Sequence, residues 1–247
     1  MANPIKIPAI VSAIIDYSSD VYSLLLTPLK RIPKYRPGQF LHFALDDYDP
    51  QGGFWPESRV FSIASYSSES LLLVYSVKGK YTKRMSQELH KGKNVWLKLP
   101  YGDFVIDANS EIDQGVVLVA GGTGISPFIS YLQKELSCPS NRRVHLIYGI
   151  KNPALLQFSD ILKDCIKNIP GFSMDIFVEE TNNEATIFNS ITLAQGIIDI
   201  NHVWNKGTEL YNPVFFLSGP PGMIQSFKKE LSSRGSAQSN IKIDEWA

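Results

Sequence analysis

The hydrophobic positions of this chain change rhythm once. Between residues 5 and about 106 they fall in short runs separated by turn residues, and no amphipathic helix exceeds three turns, which predicts an all-β region. The predicted strands are 11–15, 21–27, 40–45, 60–64, 71–77 and 94–98, and six strands at this spacing suggest a small closed barrel. From residue 116 onward, buried strands alternate with segments of helical period. Strands are predicted at 116–120, 144–150, 174–178, 214–217 and 241–243, with helices at 127–136, 158–165, within 187–198, and at 223–233. That alternation predicts an α/β doubly wound parallel five-stranded sheet. The polar, aperiodic stretch 107–114 reads as a linker between an antiparallel β-barrel domain at 1–106 and an α/β domain at 115–247.

The most informative stretch is 116–128, Val-Val-Leu-Val-Ala-Gly-Gly-Thr-Gly-Ile-Ser-Pro-Phe. An apolar, β-branched run suited to burial on both faces ends in Gly121-Gly122-Thr123-Gly124, and a helix is expected from Ser126, with Pro127 near its start. Glycines at such a junction let the backbone approach a pyrophosphate, while the helix N-terminus offers unpaired N–H groups and partial positive charge. The spacing is not the Gly-x-Gly-x-x-Gly fingerprint, so a plain strand-to-helix turn stays open. A ligand of a doubly wound sheet is expected beyond the carboxyl ends of the strands, at the switch point beside the first strand. Three later strand ends carry candidates: Glu179-Glu180, Ser218-Gly219-Pro220-Pro221-Gly222-Met223, and Asp244-Glu245-Trp246-Ala247. A carboxylate there accepts hydrogen bonds from ribose hydroxyls and repels an additional phosphate. The alternatives are a solvated acidic pair, an ordinary turn into a helix, and a terminal aromatic covering core surface.

In the first half, Arg59-Val60-Phe61-Ser62 lies on a predicted strand, so Arg59 and Phe61 share one face and Val60 and Ser62 the other. A guanidinium matches phosphate bidentately, and extended backbone beside an aromatic and a hydroxyl suits a flat ring. An edge strand with an exposed arginine and a core phenylalanine is the alternative. At 77–89 a strand ends at Val77, and Lys78, Lys80, Lys83 and Arg84 surround a short helix that Met85, Ser86 and Leu89 are expected to open. This is either a second anion site or a basic solvated turn. Leu99-Pro100-Tyr101-Gly102-Asp103-Phe104 turns the chain out of the barrel.

Composition narrows the chemistry. The chain has 247 residues, 44% hydrophobic and 19% charged, with 24 basic against 24 acidic groups, so no net field favours nucleic acid. No apolar run approaches a membrane span, and residues 1–10 lack the apolar core of a signal peptide, so a cytoplasmic location is expected. Cys138 and Cys165 are too few and too far apart for an iron–sulfur cluster, a zinc site or a redox pair, and no metal site is expected. Redox chemistry would therefore come from a bound organic cofactor.

Together these motifs resemble the ferredoxin–NADP reductase superfamily, the flavin-dependent reductases that include cytochrome b5 reductase and the reductase components of bacterial oxygenases. The resemblance covers nearly the whole chain and keeps the family order, a flavin barrel followed by a pyridine-nucleotide domain. Arg59-Val60-Phe61-Ser62 is similar to Arg-x-Tyr-Ser/Thr, with Phe61 in place of tyrosine. Lys83-Arg84-Met85-Ser86-Gln87 is similar to the Gly-x-Met-Ser segment around the flavin pyrophosphate, with Thr82 and Lys83 replacing its glycine pair. Residues 99–104 are similar to Gly-Pro-x-Gly-x-Phe, 121–127 to Gly-Gly-Thr-Gly-Ile-Thr/Ala-Pro, and 218–223 to Cys-Gly-Pro-Pro-x-Met, with Ser218 for cysteine.

The resemblance implies a flavin-dependent oxidoreductase that takes hydride from NADH onto bound FAD, rather than FMN, and passes electrons to a separate acceptor. That acceptor is a small redox protein such as a ferredoxin, an oxygenase component, or free flavin, because the chain has no cysteines for a cluster of its own. It assigns cofactor binding to Arg59, Val60, Phe61, Ser62, Val77, Lys78, Arg84, Met85, Ser86, Gly121, Gly122, Thr123, Gly124, Pro127, Glu179, Glu180, Gly219, Pro220 and Met223. Ser62, Ser218, Glu245 and Trp246 would border the reacting atoms. NADPH-using relatives hold a serine and an arginine where this chain has Glu179 and Glu180, which implies preference for NADH over NADPH. A non-catalytic nucleotide- or flavin-binding regulatory or scaffold module of the same fold is the alternative, supported by Phe61, Ser218 and Thr82-Lys83.

Overall fold

The computed structural model describes residues 3–17, 20–106, 114–180 and 192–244. It divides into two compact units, one built on Met1–Ile106 with Ser126–Tyr131, the other on Asp107–Ile125 and Leu132–Glu245. Among the described residues no helix is long and apolar enough to cross a membrane.

The first unit is a six-stranded antiparallel sheet of β1 (Ile5–Asp16), β2 (Val21–Pro28), β3 (Phe40–Ala44), β4 (Ser58–Ser62), β5 (Leu71–Ser76) and β6 (Asn94–Tyr101), in the order β4-β3-β6-β1-β2-β5. The Ala64 N–H donates to the Leu72 carbonyl at 2.8 Å, so the segment after β4 reaches β5 and nearly closes the barrel. Alternation makes the core: Ile7, Ala9 and Val11 of β1, Leu24 and Leu26 of β2, and Leu71 and Leu73 of β5 are fully buried at every second position. Helix α1 (Lys80–Glu88) adds Tyr81 and Met85 to the same core. The Tyr81 hydroxyl donates to the Phe43 carbonyl at 2.9 Å and accepts from the Leu45 N–H at 3.0 Å, and burial pushes its phenol up to about 12.

The second unit is a six-stranded parallel sheet: β7 (Val116–Gly121), β8 (Val144–Ile150), β9 (Phe172–Val178), β10 (Thr192–Gln195), β11 (Val214–Ser218) and β12 (Ile241–Ile243), in the order β10-β9-β8-β7-β11-β12. The elements α2 (Ser126–Ser137), α3 (Ser159–Asn168), α4 (Ile200–Thr208) and α5 (Pro221–Ser233) alternate with these strands in sequence. β7 and β8 are buried at almost every position, as their continuous apolar runs require in a sheet covered on both faces.

Three expectations need correction. The sheet has six strands instead of five, because residues 192–195 pair with Asp175–Val178 as β10 where a helix was expected within 187–198. Gly196 at φ +108° ends that strand, and the helix starts later, where the Asp199 carboxylate accepts from the Asn201 N–H at 3.0 Å. Helix α1 begins at Lys80, so Met85 and Ser86 lie within it and do not open it. The Thr82 hydroxyl accepts from the Lys78 and Gly79 N–H groups at 2.9 and 3.1 Å, and that reciprocal cap fixes the earlier start. Finally, β1 starts at Ile5 instead of residue 11, because β6 supplies partners from Leu99 back to Asn94. Most of the expected 107–114 linker, residues 107–113, lies outside the described residues.

Gly207 of α4 sits directly over the buried Phe215 ring of β11, and a Cβ there would fall inside the ring's contact distance. Helix propensity alone makes Gly207→Ala stabilising by up to about 1 kcal/mol. Overpacking reverses the sign, and chemical denaturation is expected to show a net loss of about 1–2 kcal/mol.

Candidate functional site

In the second unit the chain builds outward from β7 through β8, β9 and β10, then returns to the other side of β7 with β11 and β12. The direction reverses between β7 and β11, and that switch point is where open α/β sheets leave a crevice at the strands' carboxyl ends. Two turns meet there. One is the single-turn 3₁₀ helix Gly122–Ile125 that joins β7 to α2, with Gly122 at φ +55° and Pro127 in the first turn of α2. The other is Ser218-Gly219-Pro220, leading into α5.

Their backbones touch. A Cβ on Gly219, at φ +147°, would lie 2.8 Å from the Gly121 nitrogen, and one on Gly124 would collide with the Ser218 carbonyl. A Cβ on Gly121 would meet the Pro220 ring at 2.6 Å and the Met223 sulfur at 3.2 Å. Gly121, Gly124, Ser218, Gly219, Pro220 and Met223 therefore form one cluster. By contrast, the space within 4 Å of a Cβ on Gly122 or Gly222 is open, leaving room above the turns. Thr123 is half-buried.

Ser218 is fully buried, and its hydroxyl donates to Asp244 Oδ2 at 3.1 Å. Asp244, itself buried, follows β12; it opens the candidate strand end Asp244-Glu245-Trp246-Ala247, but nothing in the sequence assigned it a role of its own. Glu179 and Glu180 are exposed directly after β9, and Glu180 pairs with Lys151 at 3.4 Å. One strand, β8, separates β9 from β7, which puts Glu179 about 10 Å across the sheet from the glycine turn. Glu245 and Trp246 lie outside the described residues.

In the first unit β4 and α1 come together. Arg59 and Phe61 pair with Phe43 and Leu41 and share their face. Phe61 packs on the barrel core, edge-on to Phe43 with centroids 6.1 Å apart. The half-exposed Arg59 guanidinium lies 4.8 Å from the Tyr81 ring centroid of α1 and pairs with Glu57 at 2.9 Å. Val60 and Ser62 face the other way, next to His42 and Phe40. There Phe40 stacks on Tyr101 at 5.7 Å and His42 meets Tyr101 edge-on at 4.8 Å, an aromatic surface that the strand sequences do not advertise. Burial and the nearby Lys98 push the His42 imidazole below its usual range.

The segment expected around a second anion behaves differently from its sequence reading. Arg84 is held by Asp46 at 2.8 Å and by Glu88 at 2.9 Å, and that hydrogen bonding lowers the Asp46 carboxyl below its usual range. Met85 is fully buried in the barrel core, and the Ser86 hydroxyl donates back to the Lys83 carbonyl at 2.9 Å. The exposed cations at the true start of α1 are Lys78, Lys80 and Lys83, with Val77 half-buried just before them. Cys165 is buried, which pushes its thiol up to about 12, and Cys138 is exposed.

Comparison with known proteins agrees with this architecture. Residues 118–229 match the family described as Oxidoreductase NAD-binding domain. The chain is 24% identical to the flavohemoprotein of Rhizobium meliloti over 240 residues, covering 96% of this chain and 54% of that protein. It is 23% identical to the propane 2-monooxygenase reductase component of Rhodococcus jostii over 242 residues, 96% of this chain and 62% of that one. The chain thus spans just over half the length of these relatives. Among solved structures, the Amycolatopsis cytochrome P450 reductase GcoB superposes with a TM-score of 0.81 at 20% identity, covering 98% of this chain and 70% of that one. A ferredoxin NADP+ reductase from Neisseria gonorrhoeae, with bound FAD and NADP, gives 0.73 at 18% identity and covers 99% of both chains. Residues 118–229 thus match an oxidoreductase NAD-binding family, and the antiparallel barrel followed by a parallel nucleotide-type sheet is the fold of these solved reductases.

Proposed function

We propose that this protein is a cytoplasmic NADH-oxidising flavin reductase that hands electrons to a separate acceptor. The observation that carries the reading is the pair of glycine turns in backbone contact at the β7/β11 switch point, with open space above Gly122 and Gly222. Such a cradle suits the pyrophosphate of a dinucleotide. A nucleotide laid across the carboxyl ends of β7, β8 and β9 would bring its ribose toward Glu179, whose carboxylate accepts from the ribose hydroxyls. Ser218, oriented by Asp244, would border the nicotinamide, with Thr123 beside it and Met223 closing the turn.

For the flavin, the fitting groups are Arg59, carried over the Tyr81 ring, and Lys78, Lys80 and Lys83 at the start of α1. Ser62 and Val60 border the aromatic surface of Phe40, His42 and Tyr101, which suits a flat ring. Arg84 fits less well, because two carboxylates already neutralise it. A bound flavin, FAD in this reading, supplies the two-electron to one-electron conversion; the chain supplies binding and orientation. The names of relatives such as the propane 2-monooxygenase reductase component support an oxygenase partner as acceptor. Engagement of Arg84 favours a second reading, a module that binds nucleotide without turnover.

Three outcomes test these statements. Purified protein is expected to be yellow and to bleach with NADH in the absence of oxygen; a colourless preparation that flavin cannot reconstitute supports the module. Arg59→Ala is expected to weaken flavin binding about tenfold, near the low end for a charge-assisted bond because the guanidinium is half-exposed. Arg84→Ala is expected to change it far less, and equal losses in the two variants would reassign the phosphate contact. Finally, kcat/KM is expected to favour NADH, and Glu179→Ser with Glu180→Arg is expected to move the NADPH/NADH ratio upward by roughly 10- to 100-fold. An equal or better wild-type value with NADPH overturns the assignment of Glu179 and Glu180.

A further inference from the structure

On the sheet face covered by α4, two charged or titratable side chains interrupt an otherwise apolar surface. His145 of β8 and Asp175 of β9 are both buried, among Val117, Ile147 and Phe177 of neighbouring strand positions. His202 of α4 reaches down to them. Its Nε2 lies 2.7 Å from Asp175 Oδ2, and His145 Nε2 lies 3.1 Å from the same oxygen. His145 and Asp175 are buried and His202 is half-buried, and burying polar groups carries a cost that apolar residues of equal volume would avoid.

We infer that His145, Asp175 and His202 form a binding site for one divalent transition-metal ion of the zinc type, clipping α4 to the sheet. Their ligand atoms lie within 4.8 Å of one another. Metal–nitrogen distances of about 2.0–2.1 Å in a tetrahedral site put ligand atoms roughly 3.3 Å apart, so the two contacts to Asp175 at 2.7 and 3.1 Å open by a few tenths of an ångström while the two imidazole nitrogens, within 4.8 Å of one another, draw together onto the ion. Two imidazoles and one carboxylate are a donor set that zinc accepts, leaving a fourth position for water.

The supporting contacts also fit. His145 Nδ1 lies 2.7 Å from the Ser173 hydroxyl, the contact that orients a ligating imidazole. The Nδ1–H tautomer of His145, donating to Ser173, leaves the Nε2 lone pair available to an ion; a neutral His202 with its proton on Nδ1 does the same. The Phe177 ring packs edge-on to His202 at 5.1 Å and restrains the other imidazole. A cleft of about 190 Å³, lined by His145 and Ser173 with Lys206 and Glu209, provides a route from solvent. The site is independent of the proposed redox reaction. His145 is level with Val117, four residues and roughly 13 Å from the glycine turn at the opposite end of β7.

The test uses the full chain, stripped with a chelator and then dialysed against Co²⁺ or Zn²⁺. One ion per chain is expected by metal analysis, with the intense visible absorption of four-coordinate Co²⁺ and a thermal midpoint that rises with Zn²⁺ concentration. His202→Asn, on a surface helix, and Asp175→Asn should each abolish the cobalt spectrum. His202→Cys should keep it and add a thiolate-to-cobalt charge-transfer band. If Asp175→Asn does not fold, His202→Asn decides alone. Wild-type protein that binds neither ion, or binding that His202→Asn leaves unchanged, overturns the site and leaves the trio as a hydrogen-bonded clamp.

Discussion

The second unit depends on two turns being allowed to touch. Gly121, Gly124 and Gly219 have no Cβ, and each hypothetical Cβ would strike the backbone or the proline of the opposite turn. Backbone contact at that point brings the carboxyl ends of β7 and β11 together and positions Met223 and Pro220 against Gly121. The rest of the candidate nucleotide site hangs on that approach. Ser218 is buried because the Gly124 turn lies on it, and burial leaves its hydroxyl the carboxylate of Asp244 as a partner. A larger residue in any of the three glycine positions would open the switch point instead of decorating it.

The barrel shows the same economy through a different side chain. Tyr81 does for α1 what the glycines do for the turns, since its hydroxyl bridges the Phe43 carbonyl and the Leu45 N–H while its ring fills the core. With Tyr81 and Met85 both inward, the remaining faces of α1 carry Lys80, Lys83 and Arg84 outward, and neighbouring acids then sort them. Asp46 and Glu88 together take Arg84, whereas Arg59 has the single carboxylate of Glu57 and lies over the Tyr81 ring. The charge available to an anion is therefore set by which acids the loop and helix bring within reach, as much as by where the cations stand in the sequence.

Much of this was legible beforehand. Period-two alternation located all six barrel strands, and the continuous apolar runs located five parallel strands, because burial on one or two faces is written directly into residue order. The glycine turn and the serine turn were legible for a related reason, since only residues without a Cβ tolerate those conformations. Strand β10 was not, because four residues of mixed polarity become a strand only when β9 offers its edge. The start of α1 was missed because its cap is reciprocal, with Thr82 inside the helix reaching back to Lys78 and Gly79.

The sequence by itself determined the two-part architecture, the strand-to-helix junction at Gly121, and the sign of charge at Glu179 and Glu180. These follow from local periodicity, missing side chains and residue chemistry, none of which needs a distant partner. Tertiary structure alone decided that Ser218 answers to Asp244, that Arg84 is neutralised while Arg59 lies over a ring, and that His145, Asp175 and His202 converge on one oxygen. The physical reason is common to all three. A hydrogen bond or ion pair is fixed by the few ångströms between its atoms, and strand order and helix docking set those distances for residues far apart in the chain.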